Sequence, residues 1–297
     1  MLIILGPTAS GKTQLAVQLA LERIRQGQPA EIISADSRQV YRGMDIGTGK
    51  DLSDYTVGNQ NIKYHLIDIV DVGDDYNVFR YQQDFDRVLR EVLGRGAFPI
   101  VCGGSGQYIE AALRPEAMLP VPPNDKLRTE LSTLTDTELR ERFAQTPSAY
   151  SEKADTSTRK RLMRAIEIGT YLTARPDAQP TLRPPLPPYR VIGLDPPVSV
   201  RRDRISRRLR DRLQHGMIEE VRRLLDDGIL PEKLIFYGLE YKYVTHYVLG
   251  QLPYSELVTR IETAIYQFAK RQMTYFRKME RDGLVIEWET PPLVPLR

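Results

Sequence analysis

The chain has one cysteine, Cys102, only three histidines and one tryptophan among 297 residues. A single cysteine excludes an internal disulfide, and one Cys with three scattered His cannot assemble a zinc finger. Long apolar runs are missing as well, since none approaches the roughly 20 residues that a bilayer demands. An apolar strand starting at Leu2 leaves no room for a signal or transit peptide, so a cytoplasmic protein is expected. Overall charge is nearly balanced, with 42 basic against 39 acidic residues, but its distribution is not: Arg201 to Arg223 holds nine Arg and four acidic residues. Such a run fits a phosphate-rich partner or a solvated helix face. The length and a hydrophobic share of 41% suffice for one large domain or one domain plus an appendage.

What the chain does have is a phosphate-cradling loop almost at its start. In LIILGPTASGKTQLA the run Leu2 to Leu5 reads as a buried strand, and Gln14 onward reads as a helix. Between them Gly6, Pro7, Thr8, Ala9, Ser10, Gly11, Lys12 and Thr13 fit the spacing G-x-x-x-x-G-K-[ST]. Backbone N–H groups and the positive helix end bind oxygens of a di- or triphosphate, Lys12 neutralises charge, and the Thr13 hydroxyl can hold Mg²⁺. The loop specifies a phosphate and not a reaction, because nucleotide hydrolases, small-molecule kinases and diphosphate transferases all use one.

Strand and helix alternate through the first part: EIISADS, YHLIDIV, a helix from about Phe79 to Leu93, then FPIVCGG. Cys102 lies in the last of these and reads as a buried strand residue. The pattern predicts an α/β fold, a P-loop parallel sheet flanked by helices, with a small all-helical insertion and a helical C-terminal part. Expected boundaries are a core over 1–114, the insertion over 115–151, opening with a capping box at Thr135 to Glu138, and a return to the core over 152–297. TSTRKRLMRAIEIGTYL predicts a helix with Leu162, Ala165, Ile166 and Gly169 on one side and Lys160, Arg161 and Arg164 on another. Six prolines from Pro176 to Pro188 predict an extended connector, and YRVIGL a returning strand. In the last long helix Ile261, Ile265, Phe268, Phe276 and Met279 are expected to form the buried stripe, opposite Lys270, Thr274, Arg277 and Arg281.

Ligands in such folds sit beyond the carboxyl ends of the strands. The phosphate loop, the ADSRQVY turn and the GGSGQY turn should therefore surround one crevice. Asp36 stands there at the end of an apolar strand, beside Ser37, and spacing alone leaves it open as a general base, a metal ligand or an ordinary turn cap. DIGTGK supplies a glycine turn at Gly47 and Gly49 that either approaches a ligand or forms a plain loop.

Seven blocks in order, GPTASGKT, IISADSRQVYRGMDIGTGK, HLIDI, GGSGQYI, RLMRAIEI, GMIEEV and AKRQMTYFR, resemble the tRNA dimethylallyltransferases of bacterial type. The resemblance implies transfer of a dimethylallyl group from dimethylallyl diphosphate to N6 of an adenine beside the anticodon of tRNA, by a monomer using Mg²⁺ and needing no membrane. It assigns the diphosphate to Gly6 through Thr13 and metal binding to Thr13. It adds Arg208 to Lys12 as a stabiliser of the leaving group, and makes Asp36 the acceptor of the N6 proton. It places Asp36, Ser37, Arg38, Gln39, Ser105, Lys160, Arg161, Leu162, Met163 and Arg164 against the RNA, with the insertion on the tRNA side. The chain departs from the family pattern at YGLEYKY, where Leu239 replaces a usual Tyr. The alternatives are an adenylate isopentenyltransferase acting on free AMP, ADP or ATP, and a P-loop kinase of a small alcohol.

Overall fold

A computed structural model describes residues 1–148, 150–175, 177–178 and 181–290. Its strands are β1 (Leu2–Leu5), β2 (Ala30–Ser34), β3 (Thr56–Val57), β4 (Gln60–Asn61), β5 (Tyr64–His65), β6 (Phe98–Gly103), β7 (Arg190–Leu194) and β8 (Glu287–Glu289). Its α-helices are α1 (Lys12–Arg25), α2 (Val78–Gly94), α3 (Gly106–Leu113), α4 (Asp125–Thr133), α5 (Asp136–Ala144), α6 (Arg159–Ala174), α7 (Val198–Gln214), α8 (Met217–Asp226), α9 (Pro231–Tyr237), α10 (Leu239–Val248) and α11 (Tyr254–Arg281).

Six strands form one parallel sheet in the order β5-β2-β6-β1-β7-β8, while β3 and β4 make a separate antiparallel ribbon. The central strands are buried on both faces, as a parallel sheet requires. Ile3, Leu5, Ile33 and Val101 point to one face and pack with Phe85 of α2, Ile109 of α3 and Phe276 of α11. Ile4, Ile32 and Ile100 point to the other and pack with Val17 and Leu21 of α1. Burial decides the role of Cys102, whose thiol is pushed up to about 11 within β6 and is no nucleophile.

Several sequence expectations change on contact with the fold. YHLIDIV holds only a two-residue strand, because Leu66 and Asp68 adopt left-handed backbone angles, φ 61° and 55°, that end the pairing. In α11 the buried seam runs through Leu257, Ile261, Ala264, Ala269, Gln272, Met273, Phe276 and Met279, and Phe268 is 39% exposed. Ala269, one position on, carries the seam closer to the core than Phe268 does. Of the proline connector, Pro176 and Pro180 lie outside the described residues, and Thr181 to Tyr189 contains no helix.

The chain forms two compact units, one of residues 1–114 and 185–297 and one of residues 115–184. The expected insertion boundary at Ser151 falls inside the second unit. Its small core explains why: Leu127 and Leu131 of α4 and Leu139 of α5 pack against Leu162 and Ile166 of α6. Thr135 and Glu138 exchange the two bonds of a capping box at the start of α5. Glu167, buried in α6, accepts from Asn124 N at 2.6 Å and pairs with Arg128 and Arg164.

A second buried carboxylate, Glu31, lies at the β5 edge of the sheet. Burial alone would raise the Glu31 carboxyl, but Arg95, His65 at 2.6 Å and Lys63 pull it down to about 2. A depressed folded-state value means that Glu31 stabilises fully above its ordinary value of 4.5 and loses that contribution as pH falls through about 2. The melting temperature of wild type should therefore exceed that of Glu31→Gln at pH 5, with the gap closing as pH falls towards 2. A gap that does not vary with pH would show that the ion pairs contribute nothing through protonation.

Candidate active site

The loop between β1 and α1 opens with a glycine for steric reasons. A Cβ on Gly6 would sit 2.7 Å from Leu194 O and 2.8 Å from Ser10 Oγ, so only glycine lets the loop pass beneath β7. Ala9 is held at φ 60°, an uncommon angle for a side-chain-bearing residue and one that costs energy where the loop must curl. Lys12 folds back so that its Nζ donates to Pro7 O at 2.7 Å. Burial lowers its ammonium to about 8 against the opposing pull of Cys102 and Asp36, with Arg208 adding to the fall. A desolvated cation curled over its own loop is ready for an anion. Ser10 Oγ is buried and, among the described residues, has no hydrogen-bond partner.

Two turns flank the loop. After β2, Asp36 Oδ1 accepts from Arg38 N at 2.8 Å, and Ser37 N donates to Ser105 Oγ at 3.1 Å, which ties the ends of β2 and β6 together. Asp36 is half-buried, and among the described residues its Oδ2 accepts no hydrogen bond. It thus caps its turn with one oxygen and leaves the other unbonded. Gln39 links Ser34 Oγ to Gly49 O, at 3.1 and 3.2 Å, and so fastens the turn to the segment that follows.

That segment, Asp45 to Asp51, is built from distant partners. Buried Glu220 accepts from the N–H groups of Asp45, Ile46 and Gly47 at 2.9, 2.8 and 3.0 Å, and from Tyr241 OH at 2.5 Å. A Cβ on Gly47 would lie 2.6 Å from the Tyr241 ring, which accounts for the glycine. Lys50, 1% exposed, donates to Tyr41 O at 2.7 Å and pairs with Asp45 and Asp68. Arg208 of α7 then donates to Gly49 O at 3.2 Å and pairs with Asp51, which Arg212 also approaches at 3.4 Å. Burial works to raise the Asp51 carboxyl, but the two guanidinium groups outweigh it and hold it low. Arg212 itself is lowered to about 10 by burial and by its neighbour Arg208.

Thr8, Ala9, Ile205, Arg208, Leu209, Arg212, Glu240 and Ile265 line a small open cleft of about 20 Å³ beside the phosphate loop. One wall is apolar, and the other carries Glu240 with Arg208 and Arg212, the two arginines that pair with Asp51. Across the loop, Gln272 of α11 accepts from Thr8 N at 2.8 Å and donates to Gly104 O at 2.9 Å. It bolts the phosphate loop to the GGSGQY turn.

This arrangement agrees with the comparisons to known proteins. The family described as IPP transferase matches residues 39–279, and the one described as isopentenyl transferase matches residues 1–68. A tRNA dimethylallyltransferase of Porphyromonas gingivalis is 53% identical over 97% of this chain and 93% of its own, and one of Bacteroides fragilis is 49% identical over 97% and 92%. The chain belongs to the tRNA dimethylallyltransferase family. Among solved structures, the full-length tRNA isopentenylpyrophosphate transferase of Bacillus halodurans is 27% identical, covers 97% of this chain and 89% of its own, and superposes with a TM-score of 0.67.

The first unit contains Gly6 to Thr13, Asp36 to Gln39, Ser105 and Arg208, and Thr8 and Arg208 line the same cleft. The five residues expected to meet RNA on α6 divide. Arg161 is exposed at the helix start, bonded to Ser157 Oγ at 2.9 Å, and Lys160 is exposed beside it. Leu162 is 3% exposed and fills the small core, with Met163 packed partly against it, so neither presents a full side chain to a ligand. Arg164 is occupied by Glu167 and by Val121 O at 2.7 Å, which gives it a structural task. Sequence reasoning passed over Gln272, Glu220, Lys50 and Arg212. Gln272, Glu220 and Lys50 lie within quoted family blocks, but Gln272 and the Glu220 bonds to Asp45, Ile46 and Gly47 join partners far apart in the chain and invisible to spacing.

Proposed function

We propose that this protein transfers the dimethylallyl group of dimethylallyl diphosphate to the exocyclic N6 of an adenine beside the anticodon of tRNA, releasing diphosphate. The observation that carries the donor assignment is the cleft, which joins an apolar wall of Ala9, Ile205, Leu209 and Ile265 to Arg208, Arg212 and the phosphate loop. In the reaction the N6 lone pair forms a bond to C1 of the prenyl group while the C1–O bond breaks and its electron pair leaves with the diphosphate. Loop amides, Lys12 and Arg208 offset the charge that grows on the departing oxygens. Asp36 takes the proton that N6 must shed, since an aromatic amine is a weak nucleophile and its cation is acidic.

Mg²⁺ fits this site through oxygen donors. Among the described residues there is no cluster of three or more His, Cys, Asp or Glu able to hold a metal. The Thr13 hydroxyl at the start of α1 would hold the ion together with donor oxygens and water, in keeping with how Mg²⁺ binds phosphates. When bound, the ion neutralises diphosphate charge. On the acceptor side the target base must leave its stack, and Ser37, Arg38, Gln39, Ser105, Lys160 and Arg161 are the groups assigned to the RNA, bound by a monomer.

Incubation with Mg²⁺ and radiolabelled dimethylallyl diphosphate, offering unmodified tRNA, AMP, or ATP with a small alcohol in parallel, tests the reading. Label is expected in tRNA alone. Label in AMP with inert tRNA would overturn the acceptor, and phosphate transfer from ATP without prenyl transfer would overturn the chemistry.

A further inference from the structure

Immediately before YGLEYKY, a segment at which this chain departs from the family pattern, stands an aromatic residue, Phe236. In α9, Leu234 and Tyr237 form the buried side, whereas Phe236 is 63% exposed. One exposed apolar side chain is ordinary on any protein surface. Its neighbours set this one apart. The Arg38 guanidinium carbon lies 5.5 Å from the Phe236 ring centroid, and Arg38 N is the group bonded to Asp36 Oδ1. The ring is also held in place from below. Phe236 meets Tyr237 edge-on at 6.3 Å, Tyr237 packs against Tyr41 at 4.5 Å, and Tyr237 OH accepts from Gly73 N at 2.8 Å. Lys233 Nζ donates to Gly73 O at 2.7 Å and fixes α9 from its other end.

A flat apolar ring beside a guanidinium, two residues from the carboxylate that receives the N6 proton, matches a nucleobase with its phosphate. Extruding the target adenine unstacks its neighbours in the strand, and a protein that holds single-stranded RNA replaces the lost stacking with aromatic faces. We infer that Phe236 is the stacking platform for a base flanking the target adenine, with Arg38 bridging the ring and that nucleotide's phosphate. This rests on the tRNA reading above. The role is one of positioning: Phe236 touches no reacting atom and acts by fixing the strand from which the adenine is drawn.

Phe236→Ala, Phe236→Trp and wild type should be compared on unmodified tRNA, with KM and kcat determined separately for tRNA and for dimethylallyl diphosphate. Loss of one stacked base costs roughly 5- to 150-fold in affinity, so Phe236→Ala should raise the KM for tRNA by that order. The KM for the donor should hold, and Phe236→Trp should restore the wild-type value. Because Phe236 is on the surface, the melting temperature of the Ala variant should match wild type. An abasic nucleotide next to the target adenine should erase the difference between wild type and Phe236→Ala, since the partner of the ring is then gone. Equal KM values for tRNA in an active wild type and in Phe236→Ala would overturn this inference and leave the prenyl-transfer reading standing. A wild type that labels AMP and not tRNA would remove that reading, and the platform with it.

Discussion

Asp36→Asn is expected to lower prenyl transfer to tRNA by roughly 10²- to 10⁴-fold, the usual effect of removing a general base. The substitution keeps the side chain's size and leaves an oxygen to accept from Arg38 N, the bond that holds the turn at 2.8 Å. What it removes is the oxygen that takes a proton. Donor binding should persist, because the diphosphate groups come from the loop and α7 and not from this turn. Single-turnover transfer at saturating donor and tRNA is the measurement. Transfer near the wild-type rate would make Asp36 a turn cap and nothing more.

The second large effect is expected from Lys12→Ala. Removing one donor aimed at a developing oxyanion typically costs roughly 10²- to 10³-fold in rate, and an ammonium placed in a desolvated loop should lie within that range. The loop should survive the change, since Lys12 contributes only its Nζ bond to Pro7 O, while Thr8 N is held independently by Gln272. The check is the single-turnover rate with the donor saturating, alongside the affinity for inorganic diphosphate. If the rate holds and RNA binding drops instead, Lys12 belongs to the acceptor side, and the division of labour drawn here is wrong.

How legible each part was depends on how local its cause is. The phosphate loop could be read because its geometry is dictated within eight residues, and the capping box at Thr135 because it closes within four. The sheet could be read because burial on both faces leaves an apolar run. The role of Asp36 could not be settled from spacing, since a cap and a base need the same residue at the same place; the fold has it cap with one oxygen and keep the other unbonded. Phe268 was misplaced because Phe268 and Ala269 stand side by side where the seam of α11 drifts, and a helical period alone does not say which of the two faces inward. Glu220 reaches the Asp45, Ile46 and Gly47 amides across 173 to 175 residues, and Gln272 reaches its two partners across 168 and 264 residues. No window on the sequence contains both ends of such a bond.

The separation of Gln272 from Thr8 also sets an order in time. The phosphate loop is synthesised before most of its unit, and β1 beneath it is a central strand whose two neighbours, β6 and β7, are synthesised about a hundred and about two hundred residues later. Its amide at Thr8 waits longer still, for α11, nearly the last helix of the chain. The phosphate loop is thus made well before the groups that complete it. During translation the loop has neither its flanking strands nor its bolt until these later segments are made. Competence to bind the donor becomes a report that the whole unit has closed.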